Sequence, residues 1–154
     1  MALDQAFAGR TYPPTEPYLV SREKIREFAD AIGDQNPAYR SVEAARALGH
    51  PDIVAPPTFA VVVSSRASAQ VIFDPDLGLD YSRVVHGEQS FSYTRPVVAG
   101  DLLVAVATVE KIRSAAGNDL LTLSCALQTA GGEPVGTARS VIVARGTAED
   151  AGPA

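Results

Sequence analysis

The chain has 154 residues, 46% hydrophobic and 20% charged, with a formal net charge of −5; this suits one domain burying roughly two-thirds of the surface its unfolded chain exposes. An acidic balance leaves no basic field to hold nucleic acid or anionic lipid, and no apolar run approaches the ~18 residues of a membrane span, so neither nucleic acid nor membrane is expected as a partner. A single cysteine, Cys125, excludes an internal disulfide and a cysteine-built zinc cluster, and with no basic-then-apolar pattern over Met1 to Gln5 a cytoplasmic address is expected.

Residues 1–20 carry Pro13, Pro14 and Pro17 and read as an extended arm ending in a short strand around Tyr18-Leu19-Val20. Ser21 is placed to cap a helix with Glu23 in its first turn. Ile25, Phe28, Ala29 and Ile32 then recur at offsets of three, four and seven, the stripe of an amphipathic helix. Gly33 is placed to close it. Asp34 to Arg40 forms a polar turn around Pro37. Ser41 is placed to cap a second short helix, Val42 to Leu48, which Gly49 ends. Pro51, Pro56 and Pro57 make the next stretch irregular. From Thr58 to Ile72 the residues are apolar around most of the first turns. The valines suit a strand as well, but the length and the Ala/Ser-rich second half favour a helix buried on several sides.

Beyond this the pattern is β. Glu88 to Arg95 alternates, with Gln89, Phe91, Tyr93 and Arg95 on one face, until Pro96 and Gly100-Asp101 break it. Leu102 to Arg113, Leu120 to Ala130 and Val135 to Arg145 read as long strands, with turns at Gly117-Asn118 and Gly131-Gly132. Residues 146–154 read as a disordered tail. Early helices followed by consecutive antiparallel strands define an α+β fold. A long, nearly all-apolar helix ahead of a meander implies a sheet wrapped around it.

Three segments carry a resemblance. Gly33-Asp34-Gln35-Asn36-Pro37-Ala38-Tyr39 is similar to an active-site pattern G-D-x-N-P-x-H. Ile53-Val54-Ala55-Pro56-Pro57-Thr58-Phe59 matches the entrance to a central helix. His86-Gly87-Glu88-Gln89-Ser90-Phe91, with Arg95-Pro96-Val97 and Gly100-Asp101, matches the strand and turn that follow. Together they resemble the MaoC-like (R)-hydroxyacyl-thioester hydratase and dehydratase family, especially the dehydratase half-domains related to fatty-acid synthase. The resemblance covers residues 10–145 and implies a single hot-dog domain, a curved antiparallel sheet wrapped around a central helix. It implies no cofactor, and the chain has no Gly-rich phosphate loop, metal-ligand spacing or dinucleotide fingerprint.

In that family the Asp and His of the turn act together on the water that is added or lost. Dehydration of a 3-hydroxyacyl thioester needs a base for the α-proton, an acid for the leaving hydroxyl and donors for the thioester oxygen. Here the histidine position is Tyr39, and a phenol, with an ordinary pKa near 10 against about 6.5 for imidazole, is a poor base at neutral pH. Pro56 and Pro57 stand at the expected start of the central helix, where N–H groups would otherwise face the thioester oxygen. Both departures resemble the non-catalytic half of a pair, like the accessory subunits of actinobacterial (3R)-hydroxyacyl-ACP dehydratases, which bind the acyl chain while a partner supplies the Asp and His.

The candidate catalytic residues are Asp34 and His86, the latter with Glu88 close by. A turn carboxylate bonding its own backbone accounts equally for Asp34, and a structural histidine near a strand start for His86. The candidate substrate contacts are Asn36, Tyr39, Thr58, Phe59, Gln89 and Phe91; turn formation before Pro37 and core packing offer plainer roles for Asn36 and the aromatic residues. His50 reads as an exposed loop residue. Cys125, on the apolar face Leu121, Leu123, Cys125 and Leu127, reads as buried filler. The expected ligand is an acyl thioester on ACP or CoA, and the expected partner a MaoC-like catalytic chain or a second copy of this one. A self-sufficient homodimeric hydratase or hot-dog thioesterase, and a non-enzymatic acyl-thioester binding module, stand as alternatives.

Overall fold

Ser21 caps the first helix as its position demands. Its Oγ accepts the Lys24 N–H at 3.1 Å, and α1 runs Arg22–Ala31 in the computed structural model, which describes residues 2–148. Gly33 follows the Ile32 cap at φ +71°, the left-handed turn expected of it. Ile25 and Ala29 are fully buried, and Phe28 meets Phe59 edge to face at 5.4 Å. Ile32, the last member of the stripe, stays half exposed because the helix ends there. The Ser41 Oγ accepts the Ala44 N–H at 3.2 Å to start α2, Val42–Ala47.

The apolar run after Pro57 becomes α3, Val61–Ile72, three residues later than the pattern predicts. Turns over Pro57–Ala60 come first. The valines are helical here, and Val63, Ser64, Ala67 and Val71 are buried.

The described residues form five antiparallel strands: β1 (Tyr18–Leu19), β2 (Val84–Tyr93), β3 (Leu102–Ala115), β4 (Asn118–Thr129) and β5 (Pro134–Ala144). They are ordered β1-β3-β4-β5-β2. The last three begin and end within two residues of expectation. β2 starts four residues early, because it is an edge strand paired with β5 alone, and its first half is too exposed to carry an apolar alternation. A bulge between His86 and Glu88 interrupts it at Gly87.

Leu121, Leu123, Cys125 and Leu127 all face inward on β4 and are buried. α3 packs on β3 and β4 and faces β5 and β2 across a cavity. One helix of 12 residues meets four strands only if the sheet curls around it. The expected architecture, a curved antiparallel sheet about a central helix, is the one that forms.

The N-terminal arm is not a loose leader. Gly9, Tyr12 and Thr15 donate backbone N–H groups to Val109, Ala107 and Ala105 at 2.7–3.0 Å, laying the arm along β3. Leu3, Phe7 and Tyr12 are buried. Of the residues expected to form a disordered tail, two are held by hydrogen bonds: the Gly146 N–H donates to Asn118 Oδ1 at 3.0 Å, and the Thr147 hydroxyl meets Asp119 at 2.9 Å. Residues 149–154 lie outside the described residues. Among the described residues no helix is long and apolar enough to cross a membrane.

Candidate functional site

The turn after α1 is wound by side chains that bond their own backbone. Asp34 Oδ1 accepts the Asn36 N–H at 3.1 Å, and Asn36 Oδ1 accepts the Ala38 N–H at 3.0 Å, two successive Asx turns that carry Pro37–Tyr39 into a turn of 3-10 helix. Arg40 reaches back from both terminal nitrogens, to the Asp34 carbonyl and to Asp30 Oδ1, each at 2.6 Å. This turn forms one wall of a cavity of about 390 Å³, closed by the loop before α3 and the segment Tyr93 to Val97.

Asn36, Tyr39 and His50 line that cavity; Asp34 is not part of its wall. Tyr39 is 8% exposed. Burial first, and the nearby Asp34 charge second, push its phenol above the ordinary value. A group that already holds its proton at neutral pH holds it more firmly here. His50 departs from the sequence reading: it is half-buried and faces the same space as Tyr39. The chain doubles back after α2, with the His50 N–H on the Ala45 carbonyl at 3.1 Å, a reversal that no local pattern announces.

The helix entrance also departs in detail. Pro56 and Pro57 lie ahead of α3 and do not occupy its first turn. Its leading donors are occupied instead: Phe59, Val61, Val62 and Val63 N–H groups bond the carbonyls three residues back, at 2.9–3.1 Å. Tyr93 adds a clamp, donating its hydroxyl to the Pro57 carbonyl. Burial pushes this phenol up to about 12, against a smaller opposing pull from the Ala60 N–H. The N–H donors at this entrance are therefore largely engaged, through turn geometry more than through proline.

A second cavity, about 230 Å³, lies between α3 and strands β2, β4 and β5. His86 and Gln89 line it from β2, Ser64 and Ser68 from α3, Cys125 from β4 and Ser140 from β5. Cys125 is filler with weak polar contacts: its Sγ meets the Ser64 carbonyl at 3.7 Å and the Ser68 hydroxyl at 3.5 Å, and burial pushes its thiol up.

The two candidate catalytic residues are thus kept apart. His86 faces the second cavity, and Asp34 stands behind the turn that borders the first. Asn36 and Tyr39 reach one cavity and Gln89 the other. Thr58, Phe59 and Phe91 line neither: Thr58 is exposed on the turn, Phe59 is fully buried against Phe28, and Phe91 stacks on Tyr93 at 6.3 Å. Sequence reasoning missed His50, Ser64 and Ser140. The one available signal was Ser64 and Ser68 at i, i+4, sharing a face of an otherwise apolar helix. Among the described residues no group of three or more His, Cys, Asp or Glu side chains converges as a metal site would require.

A five-stranded sheet curled about one helix, with a Gly-Asp-x-Asn-Pro turn beside the helix entrance, defines a hot-dog domain of the MaoC-like dehydratase type. The sequence profile described as FAS1-like, dehydratase domain region matches residues 6–138. The chain belongs to that FAS1-like dehydratase family. UPF0336 proteins of Streptomyces coelicolor and Saccharopolyspora erythraea are 60% and 59% identical to it, over 97% of this chain and 99% and 96% of theirs. A solved MaoC-like dehydratase is 34% identical with a TM-score of 0.85, over 92% of this chain and 43% of that one, so this chain spans less than half of its length. The C-terminally truncated HadBC (3R-hydroxyacyl-ACP dehydratase) complex of Mycobacterium tuberculosis is 30% identical with a TM-score of 0.79, over 89% of this chain and 96% of that one. The ChsH1-ChsH2 complex of the same organism is 26% identical with a TM-score of 0.69, over 88% and 90%.

Proposed function

We propose that this chain is the acyl-binding, non-catalytic subunit of a heteromeric (3R)-hydroxyacyl-thioester dehydratase, working in the cytoplasm on substrates carried by ACP or CoA. The observation that carries this reading is Tyr39. Where a G-D-x-N-P-x-H turn would offer imidazole, this turn offers a buried phenol with its pKa raised, and Asp34 is engaged as an Asx-turn acceptor. The candidate base His86 faces another cavity, and the imidazole that shares the space of Tyr39, His50, comes from the loop after α2 and not from the turn. The partner supplies the Asp and His, and this chain holds the acyl group in the space between α3 and β2, β4 and β5.

Two further features support a partner. Among the described residues β2 leaves one whole edge of ten residues unpaired, an arrangement that invites another strand. Exposed Phe73, Tyr81 and Val85 lie on or near it, the first two in ring contact at 5.1 Å. A second strand laid there would run past His86 and Gln89, at the mouth of the acyl space. Two structural relatives are themselves complexes.

The test is a hydration assay with crotonyl and longer enoyl thioesters, following loss of enoyl absorbance, with the chain alone and with a MaoC-like partner. Turnover is expected only in the mixture. Robust turnover by the isolated chain, abolished by Asp34→Ala or His86→Ala, overturns the reading. A self-sufficient enzyme finds its best support in His50, which shares a cavity with Tyr39; loss of such solitary turnover in His50→Ala would establish it.

A further inference from the structure

The smaller cavity contains hydroxyls that the fold itself does not use. Ser64 on α3 and Ser140 on β5 are 4% and 7% exposed. They sit on opposing walls, helix and sheet. Neither hydroxyl makes a hydrogen bond among the described residues, and neither is sealed off from the cavity. Three polar neighbours are engaged: Ser65 on the Val62 carbonyl at 3.4 Å, Ser68 on Cys125 at 3.5 Å, and Gln89 on the Arg139 carbonyl at 3.2 Å. Tyr81 and His86 also line the cavity without a hydrogen bond among the described residues, but both are exposed, so the unpaired groups on its buried walls are Ser64 and Ser140.

A hydroxyl that opens only onto a cavity takes its hydrogen-bond partner from whatever fills that cavity. A plain alkyl chain offers nothing to pair with, and alanine at either position would serve it better. The rest of the lining suits methylenes: Val61, Ala69, Ile72 and Ile142. At about 230 Å³ the space falls below the roughly 300–1,000 Å³ of sites for drug-sized ligands, so it holds a short segment, not a long tail.

We infer that the acyl group seated here is short and carries a hydrogen-bonding oxygen, hydroxyl or carbonyl, beyond the reacting carbons, with Ser64 and Ser140 as its specificity determinants. The inference rests on the acyl-binding reading above. It names the substrate class that reading leaves open: oxygenated short-chain acyl thioesters in preference to unfunctionalised ones of equal length.

Calorimetric titration decides it. The probes are hexanoyl-pantetheine and ω-hydroxyhexanoyl-pantetheine, each titrated into the chain alone and into its mixture with a MaoC-like partner. The hydroxylated probe is expected to bind about tenfold more tightly. The double variant Ser64→Ala, Ser140→Ala is expected to erase that preference and leave hexanoyl affinity equal or improved. Equal affinity of the wild-type chain for both probes overturns this inference and leaves the acyl-binding reading intact. That comparison needs no variant, so a folding failure of the double variant does not remove the test. Binding of neither probe, alone or in the mixture, overturns the acyl-binding reading and this inference with it.

Discussion

His86 and Gln89 stand three residues apart on β2 and face the same cavity. A regular strand sends positions three apart to opposite faces. The bulge between His86 and Glu88 absorbs one residue and brings both side chains to one side. Gly87 makes this possible, because a Cβ there would lie 3.1 Å from Val143 Cγ2 and 3.3 Å from the Val141 carbonyl. Gly87→Ala is expected to cost about 1 kcal/mol, a fall in Tm of about 3 °C by thermal denaturation. No change in Tm would show that β5 yields freely at this point.

Asp119 is fully buried and is met by the Leu3 N–H and by the hydroxyls of Ser114 and Thr147. Burial alone would raise its pKa; the three hydrogen bonds together outweigh it and hold the carboxyl below its ordinary value. A depressed folded pKa gives stabilisation that is complete above the unfolded value, about 4, and is lost as pH falls through the folded one. Asp119→Asn is expected to cost about 2 kcal/mol at neutral pH. The gap in Tm between wild type and variant should narrow below about pH 4. A gap that stays constant into acid would remove the carboxylate from the account.

Tyr12 and Tyr93 behave in the opposite sense. Both phenols are pushed up to about 12, Tyr12 by burial and then by its hydrogen bond to Asp74, Tyr93 by burial. Their stabilisation is present below the unfolded value of about 10 and is lost as pH rises through the folded one. Tyrosinate absorbance should show a late phase among the five tyrosines. Tyr12→Phe with Tyr93→Phe should shrink that phase, leaving the contribution of Tyr39, and flatten the alkaline decline in Tm.

If Tyr39 moves no proton, Tyr39→Phe should change kcat/KM of the two-chain enzyme by less than about twofold. A general acid or base contributes on the order of a hundredfold or more. A loss of that size, with an altered pH profile, would return the phenol to the chemistry.

Val85 is 41% exposed on the unpaired edge. Val85→Lys should abolish association with a MaoC-like chain in sedimentation experiments while leaving the circular dichroism of the free chain unchanged, since an edge lysine deters strand pairing. Undiminished association would place the partner on another surface.

The local signals were legible wherever the structure obeys local rules. Ser21, Ser41 and Gly33 mark helix ends because caps act within a few residues of themselves. Leu121, Leu123, Cys125 and Leu127 announce a buried face because β4 is flanked by strands on both sides. β2 was misplaced at its start because an edge strand is half solvated and its bulge inverts the alternation midway. The cavities were illegible for a different reason. Gln89 lies across from Ser140, and Ser140 across from Leu123, neighbours that only strand register creates. Tyr39 could be read in advance because its meaning depended on a compact turn, whereas its neighbour His50 arrives from beyond α2.

Leu3 and Thr147 grip one carboxylate from either side, which brings the start and the finish of the described chain to the same corner of the fold. Such proximity allows the order of elements to be rewired. A circular permutant opened at the Gly131-Gly132 hairpin and joined by a short linker across that corner would preserve every strand pairing, β2 included.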